Sequence, residues 1–450
     1  MSAGRRDGLL ARLRGEGLGA HLLRGAGGNI AVAGGARALS LLASVLLARV
    51  LAPSGYGVYA FAISLMGLLQ VPAQLGLGQL LSRELASNEA TGRWDLAHGL
   101  LRRAAQLVTL STVVIALVTL AVLWTAPLHV SREGRLTLTV AVGFMVVNAY
   151  GMLGQATLMG LRRVIVAQIP MQIGRPALFL AGVAGLWWFA HGRLDPLTAM
   201  GANVLAAAAM LAVLFLLAGR SFHSRAERVP PRFETRRWLA SALPFTFMAG
   251  LGVINSQTDI VMLGLMKSAH DVGIYRVAVA GAGLIPLVLM AVNNAIGPTL
   301  SRLHSQGDRA RLTRVVRLAA YAGLLGGLAV LALFAVWGHD LIRLVYGTVY
   351  LVAWAPLMIL AVGQTTNAGM GPVGLVLNMT GYEKDAFFGL AVAAVVNIAL
   401  NAALIPFWGT LGAATATAIS TMVWNVLMAW RVKARLGFVP LGVGTSRLQR

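Results

Sequence analysis

The sequence predicts an all-α polytopic membrane protein, and three observations predict it. Hydrophobic residues fill 58% of the 450 positions and charged residues only 12%, against roughly a quarter charged in a soluble domain. The apolar residues run on for about 20 positions at a time, enough to cross a ~30 Å hydrocarbon core. The runs lack the alternation of the ~10-residue strands of a membrane barrel.

Taken in order, the runs give twelve spans, at about 28–50, 57–80, 104–126, 136–160, 164–189, 197–219, 241–265, 273–299, 317–337, 349–378, 386–406 and 409–430. Residues 1–27 are basic and place Leu9, Leu10 and Leu13 together, which suits an amphipathic cytoplasmic segment on the membrane surface. The first run is full length and no small-residue cleavage site follows a short apolar core, so a retained span is expected. Pro53, Gly55 and Gly57 read as a tight turn between the first two spans. Proline fixes one dihedral, glycine permits positive φ, and the neighbouring tyrosines suit an interface. "WDLAHGLLRR", ahead of the third span, reads as lying along the cytoplasmic interface. In the fifth span, Pro170 and Pro176 flank Arg175 and should break or bend the helix. Residues 220–240 form a basic linker with Pro230 and Pro231, able to let two lobes rock. "GAATATAIS" in the last span is a small-residue packing face, and 432–450 form a basic tail.

Charge orients these spans. One side carries 28 of the 37 Lys and Arg residues and the other carries seven. Positive loops stay cytoplasmic, so both termini are expected inside. Topology also explains the net charge of +22, with no need for nucleic acid as a partner.

The chain repeats itself. Gly57 and Tyr59 match Gly273 and Tyr275 at an offset of 216, "LLSRE" at 80–84 matches "TLSRL" at 299–303, and Gly160 matches Gly381. Each half holds six spans, which predicts two lobes, 28–219 and 241–431, related by an axis along the membrane normal.

"LARVLAPSGYGVYAFAISLMGLLQVPAQLGLGQLLSREL" resembles the opening of polysaccharide-type (Wzx-like) oligosaccharide flippases of the multidrug/oligosaccharidyl-lipid/polysaccharide (MOP) exporter superfamily. "QTDIVMLGLMKSAHDVGIYRVAVA" resembles the start of their second lobe. The resemblance runs from about Asn29 to Arg431. It implies two six-helix lobes around a central cavity, moving a lipid-linked oligosaccharide across the bacterial inner membrane by alternating access. The implied partners are that substrate, membrane lipids, a coupling ion (proton or sodium) and the polysaccharide polymerase machinery.

Polar groups inside spans are costly and mark the candidate site. Arg37 lies a third of the way into the first span and Arg175 near the middle of the fifth. Asp259 is the one carboxylate clearly inside a span, with Asn255 a turn earlier on the same face. Two readings stand side by side. The arginines could offer bidentate donors to a lipid pyrophosphate, or one of them could pair with Asp259 between helices. Arg49 and Arg276 follow the two outer turns and are placed at the external mouth. Intramembrane amides, Asn294 and Asn397 among them, suit either interhelical glue or a sugar cavity.

No cofactor or metal is expected. The eight histidines show no metal-ligand spacing, there is no cysteine, and no Gly-rich loop ends in Gly-Lys-Ser/Thr. The short loops argue against an enzyme of polysaccharide assembly. A MATE-type drug/cation antiporter is the other alternative, but residues 28–50 lack the first-span carboxylate many proton-coupled members use.

Overall fold

The computed structural model describes residues 18–440 except 128–130, 192–193 and 227–229, with backbone alone for 18–31, 221–226 and 288. Leu9, Leu10, Leu13 and the last ten residues of the tail lie outside that set. No strand occurs among the described residues. The helices are α1 (Leu18–Gln74), α2 (Leu77–Ala90), α3 (Trp94–Thr125), α4 (Arg132–Gly160), α5 (Val164–Ile169), α6 (Arg175–Phe189) and α7 (Pro196–Ala226). After the linker come α8 (Thr235–Met266), α9 (Ala269–Ala282), α10 (Pro286–Ser305), α11 (Arg309–Val345), α12 (Trp354–Met370), α13 (Val373–Met379) and α14 (Glu383–Leu436).

Among the described residues, nine segments are long and apolar enough to cross a membrane, where the sequence predicted twelve. The difference has a physical cause. α1 and α14 are continuous except at Ala52 (φ 54) and Gly409 (φ 53), where each folds back on itself. Straight, the 54 residues of α14 would reach about 80 Å, well over twice the hydrocarbon thickness. The predicted eighth span is instead divided, at Gly283–Ile285, into pieces of 14 and 20 residues.

The expected glycine turn is corrected. The positive φ falls on Ala52, and Gly57 and Gly273 sit inside helices. They are needed for a close crossing: a Cβ on Gly57 would stand 1.7 Å from the Ala269 carbonyl oxygen, and one on Gly273 2.0 Å from that of Pro53. The repeat's two glycines thus lock the halves together backbone to backbone.

Packing differs sharply between the two ends. At the turn end one core joins the halves, with Leu47, Tyr56 and Met66 from α1 packed with Ile260, Tyr275 and Leu357. Polar links cross there too. Tyr350 donates to the Ala48 carbonyl at 2.9 Å, and Arg49 Nε donates to the Val345 carbonyl at 2.7 Å while Nη2 reaches that of Leu344. Arg49 therefore caps the C-terminus of α11, where a cation meets orphan carbonyls. At the arginine-rich end the core breaks into smaller clusters. Leu77, Leu81, Leu100 and Trp238 form one, and Leu300, Leu312, Val376 and Val432 form another. α10 packs on α11, α12 and α13, all from its own half.

Two interfacial expectations change. "WDLAHGLLRR" is not a separate surface segment but the first turns of the 32-residue α3. The described part of the linker is tied down rather than free. Arg232 N–H donates to the Asp95 carbonyl at 3.0 Å, a Cβ on Gly99 would lie 1.8 Å from the Arg232 carbonyl oxygen, and Arg103 sits 5.0 Å over the Phe233 ring.

Candidate functional site: a cavity between the halves

The split at the arginine-rich end leaves a cavity with three compartments. The first, about 510 Å³, is lined mainly by the C-terminal half and by Arg37 of α1, with Asn255, Arg276, Gln364 and Asn367. The second, about 930 Å³, lies against α1, α2, α4 and the start of α8, with Gln70, Asn148, Arg175 and Gln257. The third, about 370 Å³, joins them, sharing Arg276 with the first and Arg175 with the second. Among the described residues four arginines line this space (Arg37, Arg83, Arg175 and Arg276), against one carboxylate, Asp259.

Two of the arginines, Arg37 and Arg175, meet local breaks in the helical ladder. Pro286 has no N–H to donate, and α9 gives way to α10 just before it. The next amide, Leu287, donates to Leu284, leaving the Gly283 carbonyl for Arg37 Nη2 at 3.2 Å. Around Arg175 the expected break is milder. Residues Pro170–Gly174 form a π-turn between α5 and α6, an adjustment typical of functional sites. It sets the Arg175 guanidinium 5.4 Å over the Phe144 ring, a cation–π contact. Arg276, expected at the outer mouth, lies two turns into α9 and faces the cavity. Arg49, expected beside it, is occupied as the cap of α11 and lines none of these compartments.

The expected ion pair with Asp259 is absent. Among the described residues no cation lies within 4.0 Å of it. Its carboxylate is buried and accepts from the Tyr275 hydroxyl at 2.7 Å, the Ile260 amide at 2.8 Å and the Thr417 hydroxyl at 3.3 Å. Tyr275, read from sequence as interfacial, is fully buried. Its repeat partner Tyr59 accepts from Asn203 at 2.8 Å and stacks on Phe179. Removing the Tyr275 hydroxyl strands part of a buried carboxylate. Tyr275→Phe should cost roughly 1–3 kcal/mol of stability, read as a lower melting temperature in detergent; an unchanged melting temperature would show that Thr417 and Ile260 suffice.

The amides divide. Asn255 faces the cavity while its Nδ2 donates to the carbonyls of Leu251 and Leu390, at 2.9 and 3.3 Å. Asn397 is withdrawn from it: buried, it donates to Ser420 at 3.1 Å and accepts from Asn401, fastening the two legs of α14. Asn294 is exposed on α10 and lines none of the compartments. Gln70, Gln257 and Tyr59, not singled out from sequence as candidates, do line the cavity.

Comparison with known proteins agrees with this architecture. The family model described as "Polysaccharide biosynthesis protein" matches residues 22–304, and the MatE model matches residues 244–403. The chain is 24% identical over 397 residues to the probable low-salt glycan biosynthesis flippase Agl15 of Haloferax volcanii, covering 87% of this chain and 79% of that one. Two solved structures share the fold at 15% identity. An inward-facing multidrug resistance MATE family transporter of the MOP superfamily gives a TM-score of 0.73, over 89% of this chain and 94% of that one. The lipid II flippase MurJ, in an inward closed conformation, gives 0.69, over 89% and 86%. The chain belongs to the polysaccharide biosynthesis protein family of the MOP exporter superfamily.

Proposed function

We propose that this protein is a flippase. It moves an oligosaccharide linked to polyprenyl pyrophosphate across the bacterial inner membrane by alternating access, for O-antigen, lipopolysaccharide or exopolysaccharide assembly. The observation that supports this most directly is the set Arg37, Arg175 and Arg276. All three face one cavity, none forms an ion pair among the described residues, and the cavity lies beside the core that joins the halves at the turn end. Guanidinium groups without carboxylate partners suit a pyrophosphate.

The twelve spans fall into two six-helix lobes with both termini cytoplasmic, so the sealed end faces outward and the cargo enters from the cytoplasmic leaflet. A coupling proton or sodium ion acts through Asp259, the one carboxylate lining the cavity. The protein is a transporter, not an enzyme, and hands its cargo to the polymerase machinery outside. The similarity to a probable glycan biosynthesis flippase of Haloferax volcanii supports a glycan as the cargo.

A deletion strain tests this. Lipid-linked oligosaccharide should accumulate on the cytoplasmic leaflet and be restored to the outer leaflet by the intact gene. A strain with normal glycan export but raised sensitivity to cationic drugs would overturn the reading in favour of a drug antiporter.

A further inference from the structure

The phosphate-suited arginines account for only part of the cavity. The largest compartment, about 930 Å³, has a different chemistry. Six amide side chains line it: Gln70, Gln74 and Gln79, Asn148, Gln155, and Gln257. Among the described residues no carboxylate lines it. Between the amides lie the apolar faces of Met66, Met152, Met159 and Phe245.

One of these amides is unfinished. Gln70 is only 8% exposed, and its Oε1 accepts from Asn148 Nδ2 at 3.4 Å. Its Nε2 is buried and has no hydrogen-bond partner among the described residues. A buried amide donor without an acceptor is costly, and interhelical glue would have used it, as it does at Asn397. Here the amide belongs to a residue that lines a compartment large enough for a sugar ring. A sugar hydroxyl both donates and accepts, which matches an amide's paired N–H and C=O groups. Thioether side chains adapt to irregular apolar faces beside them.

We propose that this compartment reads the glycan: Gln70, held by Asn148, and Gln155 hydrogen-bond to hydroxyl groups of its sugars, while Arg37 and Arg276 hold the pyrophosphate. This rests on the flippase reading above and goes beyond it by separating a sugar subsite from the phosphate subsite and naming the amides that read the sugar hydroxyls.

The test compares two probes on the full-length protein in nanodiscs: a polyprenyl pyrophosphate, and the same lipid carrying an N-acetylglucosamine disaccharide. The unsubstituted protein should bind the glycan-bearing probe about tenfold more tightly. Gln70→Leu should remove most of that increment and leave affinity for the bare lipid within about twofold. Gln155→Leu, at a residue engaged in none of the hydrogen bonds described above, should do the same and guards against a folding defect at Gln70. If the bare lipid binds but the disaccharide adds nothing, or if both variants keep the full increment, the sugar subsite is wrong and the flippase reading stands. If neither probe binds the unsubstituted protein, the flippase reading fails and the subsite with it.

Discussion

Replacing Arg37 and Arg276 together by alanine is expected to abolish transport while the protein stays in the membrane at its normal level. Each charge-assisted bond to a phosphate is worth roughly 1.5–3 kcal/mol, so each single substitution should slow transport about ten- to a hundredfold. Abundance should hold because neither arginine pairs with a carboxylate among the described residues, so their removal strands no buried charge. The hydrogen bond from Arg37 to the Gly283 carbonyl borders the cavity, where water can replace it. Lysine at either position should restore only part of the rate, since a point charge cannot grip a phosphate bidentately. The measurement is translocation of a labelled lipid-linked glycan in proteoliposomes, with immunoblots for abundance. Transport and abundance falling in parallel would mean that the arginines are structural.

The second large effect concerns the crossing at the sealed end. Gly57→Val or Gly273→Val should force the halves apart there. The Cβ positions fall on backbone carbonyl oxygens, 1.7 and 2.0 Å away, and a carbonyl cannot swing aside as a side-chain tip can. Overpacking of this kind costs about 1–3 kcal/mol or more, enough to slow transport at least about tenfold. The chain has no cysteine, so Ser54→Cys and His270→Cys, on opposite sides of the crossing, can carry spin labels without background. Their separation should increase in the valine variants, and in the unsubstituted protein it should change when cargo is added. A separation that stays constant under both conditions would argue for a rigid scaffold.

Much of this was legible in the chain. The apolar runs located the helices because a membrane leaves few other ways to satisfy a backbone. Arg37, Arg175, Asn255 and Asp259 stood out as polar groups in hydrocarbon, and all four line the cavity. What escaped the sequence depends on contacts between distant segments. Tyr59 and Tyr275 sit close to turns and look interfacial, yet the glycine crossing draws the halves so near that both are buried. Arg49 and Arg276 lie close to the two turns, Arg49 just before one and Arg276 after the other. A bend at Ala52 and a capping box at Ser268 send one to a helix end in the other half and the other into the cavity. Gln70 and Asn397 are alike as intramembrane amides. Only their neighbours decide that Asn397 is fully engaged and Gln70 is not.

The single large apolar core at one end and the smaller clusters at the other carry a thermodynamic consequence for an alternating-access cycle. Apolar burial is worth about 25 cal/mol per Å², so exposing even a few hundred Å² at the sealed end, uncompensated, would cost on the order of 10 kcal/mol. Conformers that interconvert in a working cycle lie within a few kcal/mol of each other. The cluster around Leu77 and Leu100 and the cluster around Leu300 and Val376 therefore have to meet as the outer one parts, returning the hydrophobic area lost. Such an even exchange leaves the heat capacity of the two conformers nearly equal, since that quantity follows net apolar exposure. Their ratio would then vary with temperature along a nearly straight van't Hoff line.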